Sequence, residues 1–207
     1  MVHPATPGTP GAPDRASGLS NLGFLTVLND ANGYVGGYLV TNTWGRPLEF
    51  RLSSAVQPNR VQQILYGGTL QPYICADLIG KTLVERAGVP VQFVVTDREQ
   101  VLDLRLKLDV PVLWLAPADE AGAGERGQAR GAADGSPEGV PPASATGSTV
   151  WPPSPGRGPV LCHPRFPGDA ALARALLARL EGAFDLAEPF GRIREAIGEA
   201  RKMGVHK

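Results

Sequence analysis

The stretch LTVLNDANGYVGGYLVTN, residues 25–42, holds two apolar runs separated by a short polar segment. The first run ends at Asn29 and Asp30, and the second resumes after Gly33. Asn and Gly tolerate positive φ angles and Asp caps its own turn, so this segment is typical of a β-hairpin. An acid at the end of a central strand is also a candidate for chemistry. Asp30 is therefore either a turn residue or a functional acid.

The patterns around this stretch predict an α/β domain. Residues 23–28 are apolar on both faces, which favours a buried strand, and residues 34–41 fit a second strand. Residues 48–53, LEFRLS, alternate like a half-exposed strand near an edge. Three strands so close in sequence are expected to form an antiparallel meander. Helices and strands then alternate over residues 58–116. This order implies crossover connections and a mixed sheet with helices on its faces.

Composition divides the chain into four segments. Residues 1–20 and 117–158 are rich in Pro, Gly and Ala and nearly free of large apolar side chains, so we expect a disordered tail and a disordered linker. Residues 21–116 form the expected α/β core. Residues 159–207 have the pattern of a strand and two helices that pack on this core. The sequence leaves open whether this β-α-α segment joins the main sheet.

The global composition excludes several classes of protein. The 207 residues carry 20 basic and 20 acidic side chains, which argues against a chain-wide basic field for nucleic acid, although a local patch is compatible with it. No long uncharged apolar run is present and the N-terminus lacks the apolar core of a signal peptide, so we expect a cytoplasmic protein without membrane contact. Cys75 and Cys162 are far apart, which predicts buried thiols rather than a disulfide or a zinc site.

The order of elements resembles that of the ribonuclease H-like superfamily. The resemblance covers residues 23–117 and rests on LTVLND, which ends at Asp30, and FVVTD, which ends at Asp97. In that superfamily one acid ends the first strand and another ends the fourth, and these strands are parallel neighbours. The resemblance implies that Asp30 and Asp97 lie side by side, where they could bind Mg²⁺ or Mn²⁺ in a metal-dependent nuclease or phosphodiesterase.

The sequence departs from the family pattern where further acids are expected. The first helix carries Gln62 and Gln63 in place of the usual Glu, Asp77 lies further along, and Asp119 and Glu120 fall at the start of the expected linker. Two-metal hydrolysis needs several converging carboxylates. We therefore favour a non-catalytic module on a degenerate ribonuclease H-like scaffold, without a cofactor, that binds a protein or nucleic-acid partner. The metal-dependent nuclease is the alternative.

Other polar residues have simple structural interpretations. Asp97 precedes a helix with Gln100 three residues later, the spacing of a capping box. His163 follows a strand and could join the acids, because ligands bind beyond the carboxyl ends of strands, but it also fits an ordinary loop histidine. Asp169 is expected to cap the helix that follows it.

A helix of mixed charge, RIREAIGEARK at residues 192–202, closes the chain. Its basic residues could contact phosphates, but Glu195 and Glu199 between them are typical of an ordinary solvated face. The basic residues concerned are Arg192, Arg194, Arg201 and Lys202.

Overall fold

The computed structural model describes four parts of the chain, which are residues 21–118, 148–152, 158–180 and 185–204. In these parts the chain is an α/β protein with one mixed sheet of seven strands in the order β3-β2-β1-β4-β5-β7-β6. The predicted tail, residues 1–20, and most of the predicted linker lie outside the described residues.

The first half of the sheet is a meander extended by two parallel strands. β1 (Leu22–Asp30), β2 (Gly33–Thr41) and β3 (Pro47–Leu52) pair antiparallel in sequence order, and β3 lies at the edge of the sheet. β4 (Phe93–Thr96) pairs parallel with β1, and β5 (Val112–Leu115) pairs parallel with β4. The predicted mixed sheet is confirmed, together with its meander and the edge position of the third strand.

The C-terminal segment joins this sheet. β7 (Val160–Cys162) pairs antiparallel with β5, and the helices α4 (Asp169–Leu180) and α5 (Glu188–Lys202) follow it. Outside β7 lies β6 (Ser148–Trp151), which is antiparallel to it. The segment is therefore part of the main domain and supplies strands on the far side of β5.

The predicted linker was wrong at its C-terminal end, because residues 148–151 form β6. The Val150 side chain is buried, and Trp151 packs against the core formed with α4 and α5. Trp151 is the one large apolar residue of this Pro- and Gly-rich stretch, but a strand there was not predicted, because it depends on pairing with β7.

One helical region of changing geometry connects β3 to β4. It consists of α1 (Arg60–Tyr66), a 3₁₀ turn (Gly67–Thr69), α2 (Leu70–Pro72), a π-helix (Tyr73–Gly80) and α3 (Lys81–Glu85). Between β4 and β5, where the sequence predicted an amphipathic helix, the chain forms a 3₁₀ helix (Glu99–Leu106) that buries Val101, Leu102 and Leu104. No helix in the described part of the chain is long and apolar enough to cross a membrane.

Each face of the sheet has its own apolar core. α4 and α5 cover one face, which we call the α5 face, with Phe190, Ile193 and Ile197 packed over β1 and β2. The π-helix, α3 and the 3₁₀ helix after β4 cover the other face, which we call the π-helix face. Helices on both faces make a three-layer α/β/α arrangement.

Two consecutive glycines in β2 let helices approach both faces closely. A Cβ at Gly36 would lie 2.1 Å from Cγ2 of Ile79 in the π-helix, and a Cβ at Gly37 would lie 2.3 Å from Cγ2 of Ile193 in α5. Side chains at these positions would push the helices outward. Gly37 therefore fixes how closely α5 packs on the sheet, and Gly36 does the same for the π-helix.

Candidate functional site

β1 and β4 are parallel neighbours, but their terminal acids lie at different levels of the sheet. Leu25 pairs with Thr96, so Asp97 is level with residue 26, and Asp30 lies four residues further along β1. At about 3.3 Å per residue, this offset is roughly 13 Å. β1 has nine residues and β4 has four, so the longer strand carries its acid beyond the end of the shorter one. The side-by-side placement implied by the resemblance does not occur.

Asp30 is a turn residue, as the hairpin interpretation predicts. It pairs with Gly33 across a two-residue turn, and Gly33 adopts a φ of 98°. The backbone N–H of Asn32 donates to Asp30 Oδ1 at 2.8 Å, and the Arg201 guanidinium of α5 donates to Oδ2. The Asn32 N–H first, and then Arg201, lower the pKa of the Asp30 carboxyl.

Asp97 does not cap the helix that follows it, contrary to the prediction from its spacing to Gln100. The N-cap position of the 3₁₀ helix is Arg98, which makes no side-chain capping bond, and its N–H donates to Thr96 Oγ1 at 3.1 Å. Asp97 Oδ2 instead accepts from the Arg194 guanidinium of α5. Its buried Oδ1 has no hydrogen-bond partner in the described part of the chain and lies 3.9 Å from Arg98 Nε.

α5 supplies a separate arginine to each acid. Arg194 and Arg201 are seven residues apart, which is close to two helical turns and about 10 Å along the axis. This spacing is close to the offset between Asp97 and Asp30, because α5 lies over β1 and β2 with Ile193 on Gly37. Two ion pairs therefore attach α5 to the ends of two different strands.

This arrangement gives little room for a cation shared by Asp30 and Asp97. Each carboxylate already faces a guanidinium, and Asp77 lies 2.8 Å from the ammonium nitrogen of Lys107. In the described ranges, no group of three or more His, Cys, Asp or Glu side chains is placed to hold a metal ion. The last candidate acids, Asp119 and Glu120, lie outside the described residues.

His163 does not join the acids, because β7 runs antiparallel to β5. The carboxyl end of β7 lies beside the start of β5. His163 is therefore at the opposite end of the strands from Asp30 and Asp97. His163 is buried, its Nδ1 accepts from the N–H of Arg165 at 3.2 Å, and its Nε2 faces Asp103 Oδ1 at 3.4 Å. A buried histidine with partners at both ring nitrogens fits a structural role.

Asp169 belongs to a buried ion pair that sequence reasoning missed. Its carboxylate accepts from Arg105 Nε at 2.7 Å and from Nη2 at 3.4 Å, and the guanidinium lies 4.0 Å from the ring centroid of Phe166. The pair joins the 3₁₀ helix after β4 to the start of α4. The partners are 64 residues apart in sequence, so no local pattern could have linked them.

The other cations of α5 also have acidic partners. Arg192 lies 2.9 Å from Glu188 and donates to the carbonyl oxygen of Gly45 at 3.0 Å, and Lys202 lies 2.7 Å from Glu199. This network of paired charges agrees with a solvated face of mixed charge. It leaves the basic side chains of α5 poorly placed to contact phosphates.

α1 is capped firmly but buries none of its side chains. Asn59 Oδ1 accepts from the N–H of Gln62, whose side chain accepts from the N–H of Asn59, so Gln62 is a capping residue where the family pattern has an acid. The exposed fractions of Val61, Ile64 and Leu65 are 62%, 65% and 76%. We call these three side chains the α1 patch.

The two cysteines are free and buried, as predicted. Burial raises the pKa of the Cys75 thiol to about 11, and burial also raises that of Cys162. Thiols with raised pKa values are poor nucleophiles at neutral pH.

Comparison of the chain with protein-family models gave no match, and no curated protein matched it. The ribonuclease H-like resemblance stays a hypothesis that rests on element order and two strand-end acids.

Proposed function

We propose that this chain is a non-catalytic α/β module, on a scaffold similar to the ribonuclease H-like fold, that binds a protein partner through the α1 patch. The observation that carries the proposal is a capped helix with three large apolar side chains, all more than half exposed.

α1 has the features of a helix that packs against a partner. A seven-residue helix is marginal alone, and most helices gain their stability by packing an apolar face against other elements. None of the residues of α1 is buried, although Tyr66 at its end stacks on Tyr73 with ring centroids 4.7 Å apart. Exposed apolar patches on soluble proteins commonly mark interaction sites. An amphipathic helix that docks in the groove of another protein is a recurrent mode of recognition.

A protein partner is better supported than a nucleic acid. Nucleic-acid binding depends on cations that can neutralise phosphates. On α5, the most basic element, Arg192, Arg194, Arg201 and Lys202 each face a carboxylate. The α1 patch is apolar instead, which suits a protein.

The metal-dependent nuclease receives less support, because its two acids are offset along the sheet and paired with arginines. A thermal-shift titration with Mg²⁺ or Mn²⁺ tests it directly. A ligand that binds only the folded state raises the melting temperature by mass action. A metal-dependent rise that Asp30→Asn or Asp97→Asn abolishes would favour the nuclease over the binding module.

Capture experiments with the purified full chain test the α1 patch. The test variant replaces Val61, Ile64 and Leu65 by Ser, and the control is Leu172→Ser, since Leu172 is 61% exposed on α4. Any protein retained by wild type is purified and its affinity measured by calorimetry. We expect the control to bind like wild type and the triple variant to bind at least about tenfold more weakly.

The melting temperatures of both variants should stay close to that of wild type, because exposed side chains contribute little to folding. Equal affinity of the triple variant and wild type for every retained partner would contradict the proposal. So would binding of single-stranded or duplex oligonucleotides that survives the triple substitution and weakens steeply with salt.

A further inference from the structure

β3 is an unpaired edge strand of the sheet, and its side chains on the α5 face are apolar. Phe50 is 41% exposed and lies on the α5 face next to Leu52, which packs against the core of that face. Leu48 is 45% exposed and falls at a register shift between Val40 and Thr41 of β2. Natural proteins usually protect exposed edge strands with Pro, Lys or a covering element. β3 has Pro47 at its first position and a register shift beside it, but from Glu49 to Leu52 its pairing with β2 is regular and no described element covers its outer edge.

The backbone of β3 also has hydrogen-bonding groups directed away from the sheet. Ser53 N–H donates to the carbonyl oxygen of Gly36 at 2.9 Å. The alternate residues Arg51 and Glu49 therefore also turn their backbone N–H and C=O groups toward β2. Since the direction alternates along a strand, Phe50 and Leu52 turn theirs outward. No other strand in the described part of the chain receives them.

The charges of β3 are complementary to those of the β3 strand of a second copy, when the two strands run antiparallel. If Phe50 lies opposite Phe50 of a second copy, Glu49 lies opposite Arg51 of the second copy, and the same pair occurs twice. If Phe50 lies opposite Leu48, Glu49 faces Glu49, and if it lies opposite Leu52, Arg51 faces Arg51. Opposite charges stabilise cross-strand pairs, and like charges destabilise them. One register is therefore favoured.

We propose that the chain forms a homodimer in which the β3 strands of two copies pair antiparallel about a twofold axis at Phe50. The two sheets join into one continuous sheet, and Phe50 and Leu52 of both copies form one apolar row. A self-complementary patch is what a twofold interface requires. This inference is independent of the α1 patch, which lies outside β3.

The charged pair at the interface is held in place before association. The Glu49 carboxylate accepts from the N–H groups of Gly88 and Val89, each at 2.9 Å, and from Arg51 Nε at 2.6 Å. The Val89 N–H, followed by Arg51 and the Gly88 N–H, lower the pKa of Glu49, so it is ionised at neutral pH. Both side chains are thereby kept on the π-helix face of β3.

Sedimentation of the full chain over a range of concentrations tests the dimer. We expect wild type to dissociate from dimer to monomer on dilution. Phe50→Lys places two like charges at the twofold axis and should raise the dissociation constant at least about tenfold, because like charges at an interface are strongly unfavourable. Leu172→Lys, a matched change at an exposed site on α4, should leave the dimer unchanged.

Mixed charge variants identify the register. Arg51→Glu and Glu49→Lys should each weaken self-association, whereas an equimolar mixture of the two should form a heterodimer, since each Lys or Arg then faces a Glu. Circular dichroism checks that each variant folds. A heterodimer from the mixture would support the register even if Phe50→Lys failed to fold.

Several outcomes would overturn the proposal. One is a wild-type protein that stays monomeric up to its solubility limit. This outcome counts against the dimer even if a variant without residues 1–20 dimerises. Another is a dimer that Phe50→Lys leaves intact but that substitution of the α1 patch disrupts. A third is a mixture of the two charge variants that associates no better than either variant alone.

Discussion

Of the three arginine–aspartate pairs that attach the C-terminal helices to the rest of the molecule, two differ clearly in burial. The side chains of Arg105 and Asp169 are 14% and 8% exposed, whereas those of Arg201 and Asp30 are 26% and 38% exposed. Asp30 stood out in the sequence because it ends a strand, but Asp169 was interpreted as a simple cap. Burial decides how much a charged pair contributes to stability, and the position of an acid in the sequence does not reveal its burial.

The largest effect should come from breaking the buried pair. Arg105→Ala leaves the Asp169 carboxylate in an apolar surrounding without its cation and also removes the contact with the Phe166 ring. We expect a loss of about 3–5 kcal/mol in the free energy of unfolding. Denaturation in urea, followed by circular dichroism, measures it.

A double replacement separates the penalty of an unpaired charge from the contribution of the pair itself. Arg105→Met combined with Asp169→Leu removes both charges and keeps apolar volume, so it should cost much less than Arg105→Ala alone. A double variant that is as unstable as the single one would show that the pair is needed for its specific geometry. The buried and exposed pairs would then differ in more than burial.

The sequence allowed most of the sheet to be predicted, since the deciding signals are local. The apolar run of β1, the Asp-x-Asn-Gly turn and the alternation of LEFRLS define the meander, and the structure has it. β6 was missed because its position depends on pairing with β7 rather than on its own composition. In α4, Leu172 is 61% exposed, whereas Ala173 and Leu177 are buried, so the position of an apolar residue in this helix does not by itself reveal its burial.

The candidate site was harder to predict, because its geometry depends on register. The sequence shows that Asp30 and Asp97 each follow an apolar run, but not that β1 extends four residues beyond the level of Asp97. The arginines that pair with Asp97 and Asp30 lie on α5, 97 and 171 residues away in sequence. Their seven-residue spacing was a usable signal that two groups lie along one face of α5.

An intermediate effect should come from lifting α5 away from the sheet. A Cβ at Gly37 would lie 2.3 Å from Ile193 Cγ2, so Gly37→Ala forces α5 outward and strains the pairs that Arg194 and Arg201 make with Asp97 and Asp30. Overpacking of this kind costs about 1–3 kcal/mol. The loss, measured by urea denaturation, should exceed that of Arg201→Gln, because exposed ion pairs contribute little to stability.

Gly198→Ala is the matched control for Gly37→Ala. Gly198 lies within α5, and a Cβ there meets no atom within 4 Å. Alanine favours helix over glycine, so this change should stabilise the protein by up to about 1 kcal/mol. If Gly37→Ala were equally harmless, the exposed pairs could not depend on how closely α5 approaches β2.

The smallest effect should come from Asp30→Asn, and it should depend on pH. Asparagine keeps the oxygen that accepts from the Asn32 N–H and removes only the charge that faces Arg201. The folded state lowers the pKa of Asp30, so this carboxylate stabilises the fold above its unfolded pKa of about 4. The contribution is lost as the pH falls through the lower, folded pKa.

The variant should therefore be slightly less stable than wild type at neutral pH, and the difference should vanish in acid below the folded pKa. Urea denaturation of both proteins across this range measures it. In an Arg201→Gln background, Asp30→Asn should have a smaller effect, because the attraction is already gone. A variant that is more stable than wild type at neutral pH would instead indicate repulsion between Asp30 and Asp97, as the superfamily resemblance implies for two acids without a cation. The exposed pairs would then be too weak to neutralise the carboxyl ends of the strands, and the metal titration would become the decisive experiment.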